Sequence, residues 1–199
     1  MNISLSRLLL TSLVLLTSIV SADVLGNIKV CALRVNFQID DHESTSGDGS
    51  FLDSTYFVCD NYTIDPPPHD KSYFTSQLKA VDSYYRNVSY NLFGIDLNES
   101  QVYPVENNDS YSLENTMNYY NPYNEDELQE SRLTELLKDA ANKAYEIDSI
   151  EFSSYDLIVV FHAGIGQDFS LPFLDPTPED IPSTYVDPNM INTYLNNTD

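Results

Sequence analysis

The chain contains three histidines, His42, His69 and His162, and none of them stands at the spacing of a metal-binding pair. The sequence also lacks the zinc-binding pattern H-E-x-x-H, the serine pattern G-x-S-x-G, the phosphate-binding pattern G-x-x-x-x-G-K-S and the redox pair C-x-x-C. Such patterns place ligands one helical turn apart, or a nucleophile on a tight turn. Without them, we predict no catalytic residue and no metal ligand in this chain.

The best candidate for a cleft residue is His162, which directly follows the apolar run Leu157–Phe161. Ligands of open α/β sheets bind beyond the carboxyl ends of central strands. The predicted cleft residues are therefore His162 and the three polar or flexible positions that follow it, Gly164, Gly166 and Asp168. The alternative is a structural role, in which His162 bonds nearby backbone and the two glycines only turn the chain.

The chain is strongly acidic, with 31 Asp and Glu against 9 Lys and Arg and a net charge of −22. Nine scattered cations cannot form the basic face that nucleic acid requires, so nucleic acid is excluded as a partner. Five carboxylates fall in the Gly- and Ser-rich stretch that ends at Ser54: Asp40, Asp41, Glu43, Asp48 and Asp53. They could hold calcium in an exported protein. Because the spacing of a calcium loop is missing, a solvated acidic loop is the alternative.

Residues 1–22 have the layout of a secretory signal peptide: Arg7, the apolar stretch Leu8–Val20, and the small residues before Ala22. We expect cleavage between Ala22 and Asp23 and a secreted or extracytoplasmic protein. The apolar stretch is shorter than the roughly 20 residues of a membrane-spanning helix, so no stable membrane anchor is expected.

Export also bears on the two cysteines, Cys31 and Cys59. In an oxidising compartment, two and only two cysteines favour one disulfide. The alternative is a buried free Cys31 in a strand and an unrelated Cys59. Two sulfurs without neighbouring histidines supply too few ligands for a zinc site.

Apolar spacing predicts the order strand, helix, strand, strand, helix, strand. The predicted segments are Ile28–Phe37, a helix with Phe74, Leu78, Val81 and Tyr85 on its apolar face, Phe93–Leu97 with Gln101–Val105 as its partner, a helix with an apolar stripe from Leu133 to Ala144, and Leu157–Phe161. Asp70 or Ser72 is expected to cap the first helix and Asn124 the second. The fold class is then α/β (α+β mixed), a mixed sheet with two long helices packed on it.

Two further features complete this prediction. The five consecutive apolar residues of Leu157–Phe161 are typical of a central strand that is covered on both faces. Five prolines between Pro172 and Pro188 exclude a regular helix or a central strand after Gly166.

Taken in order, these pieces resemble the amino-terminal half of the catalytic domain of the immune inhibitor A-type secreted zinc metallopeptidases. The resemblance covers residues 28–166 and is carried by the segments Lys29–Phe37, Ser83–Ser89, Phe93–Leu97, Val102–Val105, Leu133–Tyr145 and Phe152–Gly166. The most specific segment is the last one, an acid followed by Phe-Ser-x-Tyr-Asp, an apolar strand and His-Ala-Gly-x-Gly. Asn91 stands where the family usually has glycine, a tolerable change where φ is positive.

The resemblance implies a zincin-like amino-terminal subdomain over residues 23–170, a zinc cofactor and a protein or peptide substrate. The family's zinc ligands lie on an H-E-x-x-H helix several tens of residues further on, and this sequence does not contain that helix. The chain is then either the front segment of an interrupted or longer enzyme or a non-catalytic relative of the family, and we expect the front segment, inactive alone. Residues 171–199 are then a Pro-rich irregular tail that continues in a longer protein.

Two other functions are weighed against this expectation. One is a complete secreted acidic binding module, without catalytic activity, whose Pro-rich tail engages a partner. The other is a hydrolase that uses His162 and Asp168, which is disfavoured because no motif places a nucleophile near them.

Overall fold

The computed structural model describes residues 25–52, 66–106, 109–167 and 175–195 of the chain. The strands are β1 (Gly26–Ile28), β2 (Val30–Asn36), β3 (Phe93–Ile95), β4 (Gln101–Tyr103), β5 (Tyr111–Ser112) and β6 (Leu157–His162). The helices are α1 (Lys71–Val88), α2 (Met117–Tyr120), α3 (Asp126–Asp148) and α4 (Pro188–Tyr194), with one 3₁₀ turn at Phe152–Ser154. Among these helices, none is both long and apolar enough to cross a membrane.

β2 is the central strand of the sheet. Its Val30–Val35 segment pairs with β6 on one edge, and the opposite edge pairs first with β4 and then with β5. β1 directly precedes β2 in the chain and pairs with β3. Every one of these pairings is parallel, and the long helices α1 and α3 connect strands of the sheet, which confirms the predicted α/β class. The expected mixed sheet is wrong for the described strands, because the chain returns to the same end of the sheet before each new strand begins.

Two helices cover opposite faces of this sheet. On one face the ring of Phe161 stacks on Phe74 of α1, with ring centroids 4.6 Å apart. On the other face the hydroxyl of Tyr111, in β5, bonds the carboxylate of Asp148 at the end of α3. Since both faces are covered, all residues of Val30–Val35 are buried, including Arg34.

Leu157–Phe161 was predicted to be a central strand of the sheet, and among the described residues this prediction is wrong. β6 pairs on one edge only, its first residue, Leu157, is 39% exposed, and the rest of the strand is half-buried. An apolar run in a sequence predicts that the faces of a strand are covered, but it carries no information on its edges. The predicted pairing of Gln101–Val105 with Phe93–Leu97 is also wrong. β3 pairs with β1 and β4 pairs with β2, so β3 and β4 lie one after the other on the same side of the sheet's middle.

α1 begins where it was predicted, with the Asp70 carboxylate accepting a hydrogen bond of 2.8 Å from the Tyr73 N–H. Its buried face differs from the prediction. Phe74 and Leu78 are buried together with Asp82, and the predicted core residues Val81 and Tyr85 are exposed. The helix is turned this way because the Asp82 carboxylate accepts a hydrogen bond from the backbone of β3.

The turn between α1 and β3 has two consecutive residues of positive φ, Tyr90 at 56° and Asn91 at 64°. The positive φ expected at Asn91 is thus confirmed. Asparagine tolerates this left-handed conformation well, and tyrosine does not.

α3 carries the predicted stripe, with Leu133, Leu136, Ala140 and Ala144 all buried. Its predicted cap is wrong. The helix starts at Asp126, Glu125 occupies the cap position without a side-chain hydrogen bond, and Asn124 lies one residue earlier with φ at 59°.

The prediction that the prolines exclude a regular helix after Gly166 is wrong, because the Pro-rich segment contains α4. Pro188 lies in the first turn of α4, where its missing N–H costs no hydrogen bond, and the Asp187 side chain accepts from the N–H groups of Asn189 and Met190.

Several predicted residues lie outside the described residues, among them Ala22, Asp23, Cys59 and Asp168. Cys31 is completely buried, and no disulfide joins it to another described residue, but Cys59 is not among the described residues. Its pairing with Cys59 therefore stays a prediction.

Candidate functional site

The carboxyl ends of β2 and β6 lie side by side, since Val35 is in register with His162. β1 and β2 form the middle of the sheet. The chain then adds β3, β4 and β5 on one side of them, passes through α3, and adds β6 on the other side. The connections leaving β2 and β6 therefore meet at the point where the direction of the sheet reverses. Ligands of open α/β sheets bind at this position.

His162 lies at this edge as predicted, and its contacts are those of the structural alternative. The Nδ1 atom is 2.9 Å from the carbonyl oxygen of Ala163, so Nδ1 carries the proton and donates it. The half-buried ring packs 6.1 Å from the ring of Phe37, centroid to centroid. These contacts fix the imidazole at the end of the strand.

Gly164 begins the turn that follows β6. Its φ is +90°, and a Cβ atom at this position would clash with the Cε of Met117. The next N–H, that of Ile165, donates to the Ser46 hydroxyl at 2.8 Å. Gly166 is exposed and Asp168 is outside the described residues. The turn is therefore held against the loop that leaves β2.

Residues 175–182, here called the strap, cross this edge and hold both loops. The Asp180 carboxylate accepts a 2.6 Å hydrogen bond from the Ser46 N–H, and the N–H of Glu179 donates to the carbonyl of Ser44 at 2.9 Å. The Gln167 N–H donates to the carbonyl of Ile181 at 3.0 Å.

The acidic side chain of Glu179 has partners of its own. It accepts from the Tyr123 N–H at 2.9 Å and lies 3.2 Å from the Nδ1 of His42. No pattern in the sequence indicates these strap contacts, apart from the Glu-Asp pair directly before an isolated apolar residue, Ile181.

An open groove of about 2270 Å³ runs from this edge along β6. It is lined by β6, the loop after β2, the first turn of α1, and parts of α3 and of residues 181–191. All three histidines of the chain reach its lining.

The outer edge of β6 faces the groove. The N–H groups of Leu157 and Ala163 donate to the carbonyls of Lys29 and Val35, at 3.2 and 3.0 Å. Because the sides alternate along a strand, the backbone groups of Ile158, Val160 and His162 point away from β2. Within the described residues, no further strand pairs with this edge.

Four of the five carboxylates of the acidic loop lie in the described part of the chain, and the fifth, Asp53, lies outside it. No three His, Cys, Asp or Glu side chains there are close enough to hold a metal ion together. Asp48 accepts hydrogen bonds from the N–H and hydroxyl of Ser50, and these bonds lower the pKa of its carboxyl. Zinc, calcium and a peptide substrate stay predictions from the sequence.

Comparison of the chain with protein-family models, with curated protein sequences and with solved structures found no match.

Proposed function

We propose that this chain is the amino-terminal segment of the catalytic domain of an exported zinc metallopeptidase of the immune inhibitor A type. Its role there is structural. The sheet and its two covering helices position the zinc-binding helix of the complete enzyme and form one wall of the substrate cleft. The chain alone does not hydrolyse peptides.

The observation that supports this proposal is the outer edge of β6. Edge strands of stable proteins are usually short or carry charges, prolines or bulges that prevent further pairing. Leu157–Phe161 has none of these features, and an open groove lies beside it. An unprotected edge of this kind is open to pairing with a further strand. The rest of a catalytic domain would supply it.

The alternative, a binding module whose acidic tail engages a partner, has less support. The described part of that tail is engaged by the chain itself, through Asp180 and Glu179 of the strap and through the buried Ile181.

The first test is hydrolysis of casein and of fluorogenic peptides by purified residues 23–199, with and without added zinc. A longer chain that continues through a downstream H-E-x-x-H serves as the comparison. We expect chelator-sensitive hydrolysis from the longer chain only. Chelator-sensitive turnover by residues 23–199 would refute the proposal.

The second test is amide hydrogen exchange along β6. In residues 23–199 we expect slow exchange at Leu157, Val159 and Phe161, whose N–H groups face β2, and fast exchange at Ile158 and Val160. In the longer chain the last two should become protected. Equal protection of all five amides in the shorter chain would mean that the outer edge is already covered.

A further inference from the structure

The last two turns of α1 and the turn that follows them carry an exposed apolar surface. Val81, Tyr84, Tyr85 and Val88 stand at the spacing i, i+3, i+4 and i+7, which places them on one helical face. The surface continues through the Tyr85–Phe93 ring contact, with centroids 5.3 Å apart, into the turn before β3. We call Val81, Tyr84, Tyr85, Val88, Tyr90 and Leu92 the α1 patch.

This face is distinct from the one that α1 turns to the sheet. The sheet-facing side is formed by Phe74, Leu78 and Asp82, all of which are buried. The patch residues are 42, 62, 43, 55, 88 and 58% exposed, in sequence order. α1 thus has a second apolar side that no described residue covers.

Tyr90 adds an independent observation. It is the most exposed residue of the patch, and it holds a left-handed backbone conformation, with φ at 56°. This conformation is unfavourable for a large side chain. A strained residue that contributes little to the core indicates a role at the surface.

The charge around the patch differs from that of the rest of the chain. Residues 71–95 carry three cations, Lys71, Lys79 and Arg86, and one of the 31 acids, Asp82. That acid is buried and bonds Arg86 at 2.9 Å. The patch is therefore a surface on which two strongly acidic molecules can approach each other without local repulsion between carboxylates.

We infer that the α1 patch is the interface between two copies of this chain. The two α1 helices pack against each other through their valine and tyrosine side chains, and the turn residues Tyr90 and Leu92 extend the contact. We multiply the exposed fraction of each patch residue by its full surface area, roughly 200 Å² for a tyrosine, and obtain an exposed area of about 600 Å² on each copy. The total of about 1200 Å² lies at the lower limit for a specific dimer, so the expected dissociation constant is about micromolar. This inference does not depend on the proposed peptidase function.

Sedimentation equilibrium of residues 23–199 across the micromolar range tests the inference. We expect a reversible monomer–dimer equilibrium. Tyr84→Glu and Tyr90→Glu should each weaken it at least about tenfold, since tyrosines are enriched among the few residues that dominate such interfaces. The matched control is Tyr145→Glu, which adds the same charge at an exposed tyrosine of α3 and should leave the equilibrium unchanged.

Two further measurements guard against an effect of misfolding or of charge alone. The double variant Val81→Ser, Val88→Ser adds no charge and should also weaken the dimer, with an unchanged circular dichroism spectrum. Added salt should tighten the dimer of the original residues 23–199, because it screens the repulsion between two molecules that each carry 31 acids and, without Arg7, 8 Lys and Arg, a net charge of −23, while the apolar contact remains. A chain that stays monomeric at all concentrations overturns the inference, and so does a dimer that both tyrosine variants leave intact.

Discussion

Asp82 is the polar centre of the contact between α1 and the β1–β3 pair. Its buried carboxylate accepts hydrogen bonds from the Ile95 N–H at 2.7 Å and from Arg86 Nε at 2.9 Å. The Arg86 Nη2 then donates to the carbonyl of Ile95 at 3.1 Å and to the side chain of Asn27 at 3.2 Å. One carboxylate therefore holds a guanidinium that bridges both strands.

We predict that Asp82→Ala lowers the free energy of unfolding by about 3 kcal/mol. The change leaves the buried Ile95 N–H without this acceptor, which costs about 1–3 kcal/mol. Breaking a fully buried ion pair costs about 3–5 kcal/mol. The Arg86 side chain is 33% exposed, however, and water screens part of that loss. Asp82→Asn keeps an acceptor for Ile95 but removes the charge and the oxygen that accepts from Arg86, so its expected cost is smaller, about 1.5 kcal/mol.

Urea unfolding followed by circular dichroism measures these differences. Lys79→Ala, at an exposed position of the same helix, is the control and should stay within about 0.5 kcal/mol of the original chain. If Asp82→Ala costs less than about 0.5 kcal/mol, or no more than Asp82→Asn, then the Ile95 hydrogen bond does not stabilise the fold in the way the structure indicates.

Four further outcomes are expected. Gly164→Ala should lower the free energy of unfolding by about 2 kcal/mol, because the backbone has positive φ there and the new methyl group meets Met117. In a double-mutant cycle, Met117→Ala should recover only the part of this loss that comes from the contact with Met117. Burial raises the pKa of the Tyr120 hydroxyl above its ordinary value of 10.0, so this hydroxyl loses its proton at a lower pH in the unfolded chain than in the folded chain. Stability should then fall as the pH rises above about 10, and Tyr120→Phe should make the fall shallower in urea titrations at several pH values. Burial raises the pKa of the Cys31 thiol to about 12, so in reduced protein Cys31 should resist alkylation until urea is added, as mass spectrometry can show. Amino-terminal sequencing of exported protein should begin at Asp23, and intact Met1 in a membrane fraction would contradict this.

The sequence allowed most elements of the fold to be predicted, since apolar spacing records which faces of a helix or strand are covered. Leu133, Leu136 and Ala140 follow this rule in α3. Val81 and Tyr85 do not, because a single buried carboxylate, Asp82, decides which side of α1 meets the sheet. Local sequence patterns could not predict the order of the strands in the sheet, because that order depends on pairings between segments far apart in the chain.

The candidate site shows the same limit. The position of His162 at the carboxyl end of a strand was predictable from the apolar run before it. The strap was not, since its main contact joins Ser46 to Asp180, 134 residues away, through one hydrogen bond. No periodicity in either segment records that contact.

The central position of β2 has a consequence for the way the chain folds while it is being synthesised. β2 is made first among the strands of its sheet, and the partner of its β6 edge follows 127 residues later, as the Lys29–Asp156 hydrogen bond shows. At roughly 5–20 residues per second, translation needs about 6–25 s to cover that distance. A parallel pair cannot form as a local hairpin, so Val30–Val35 stays without its β6 partner during this time. Folding yield in the cell should therefore depend on a chaperone that protects this one segment until the carboxyl-terminal third of the chain has appeared.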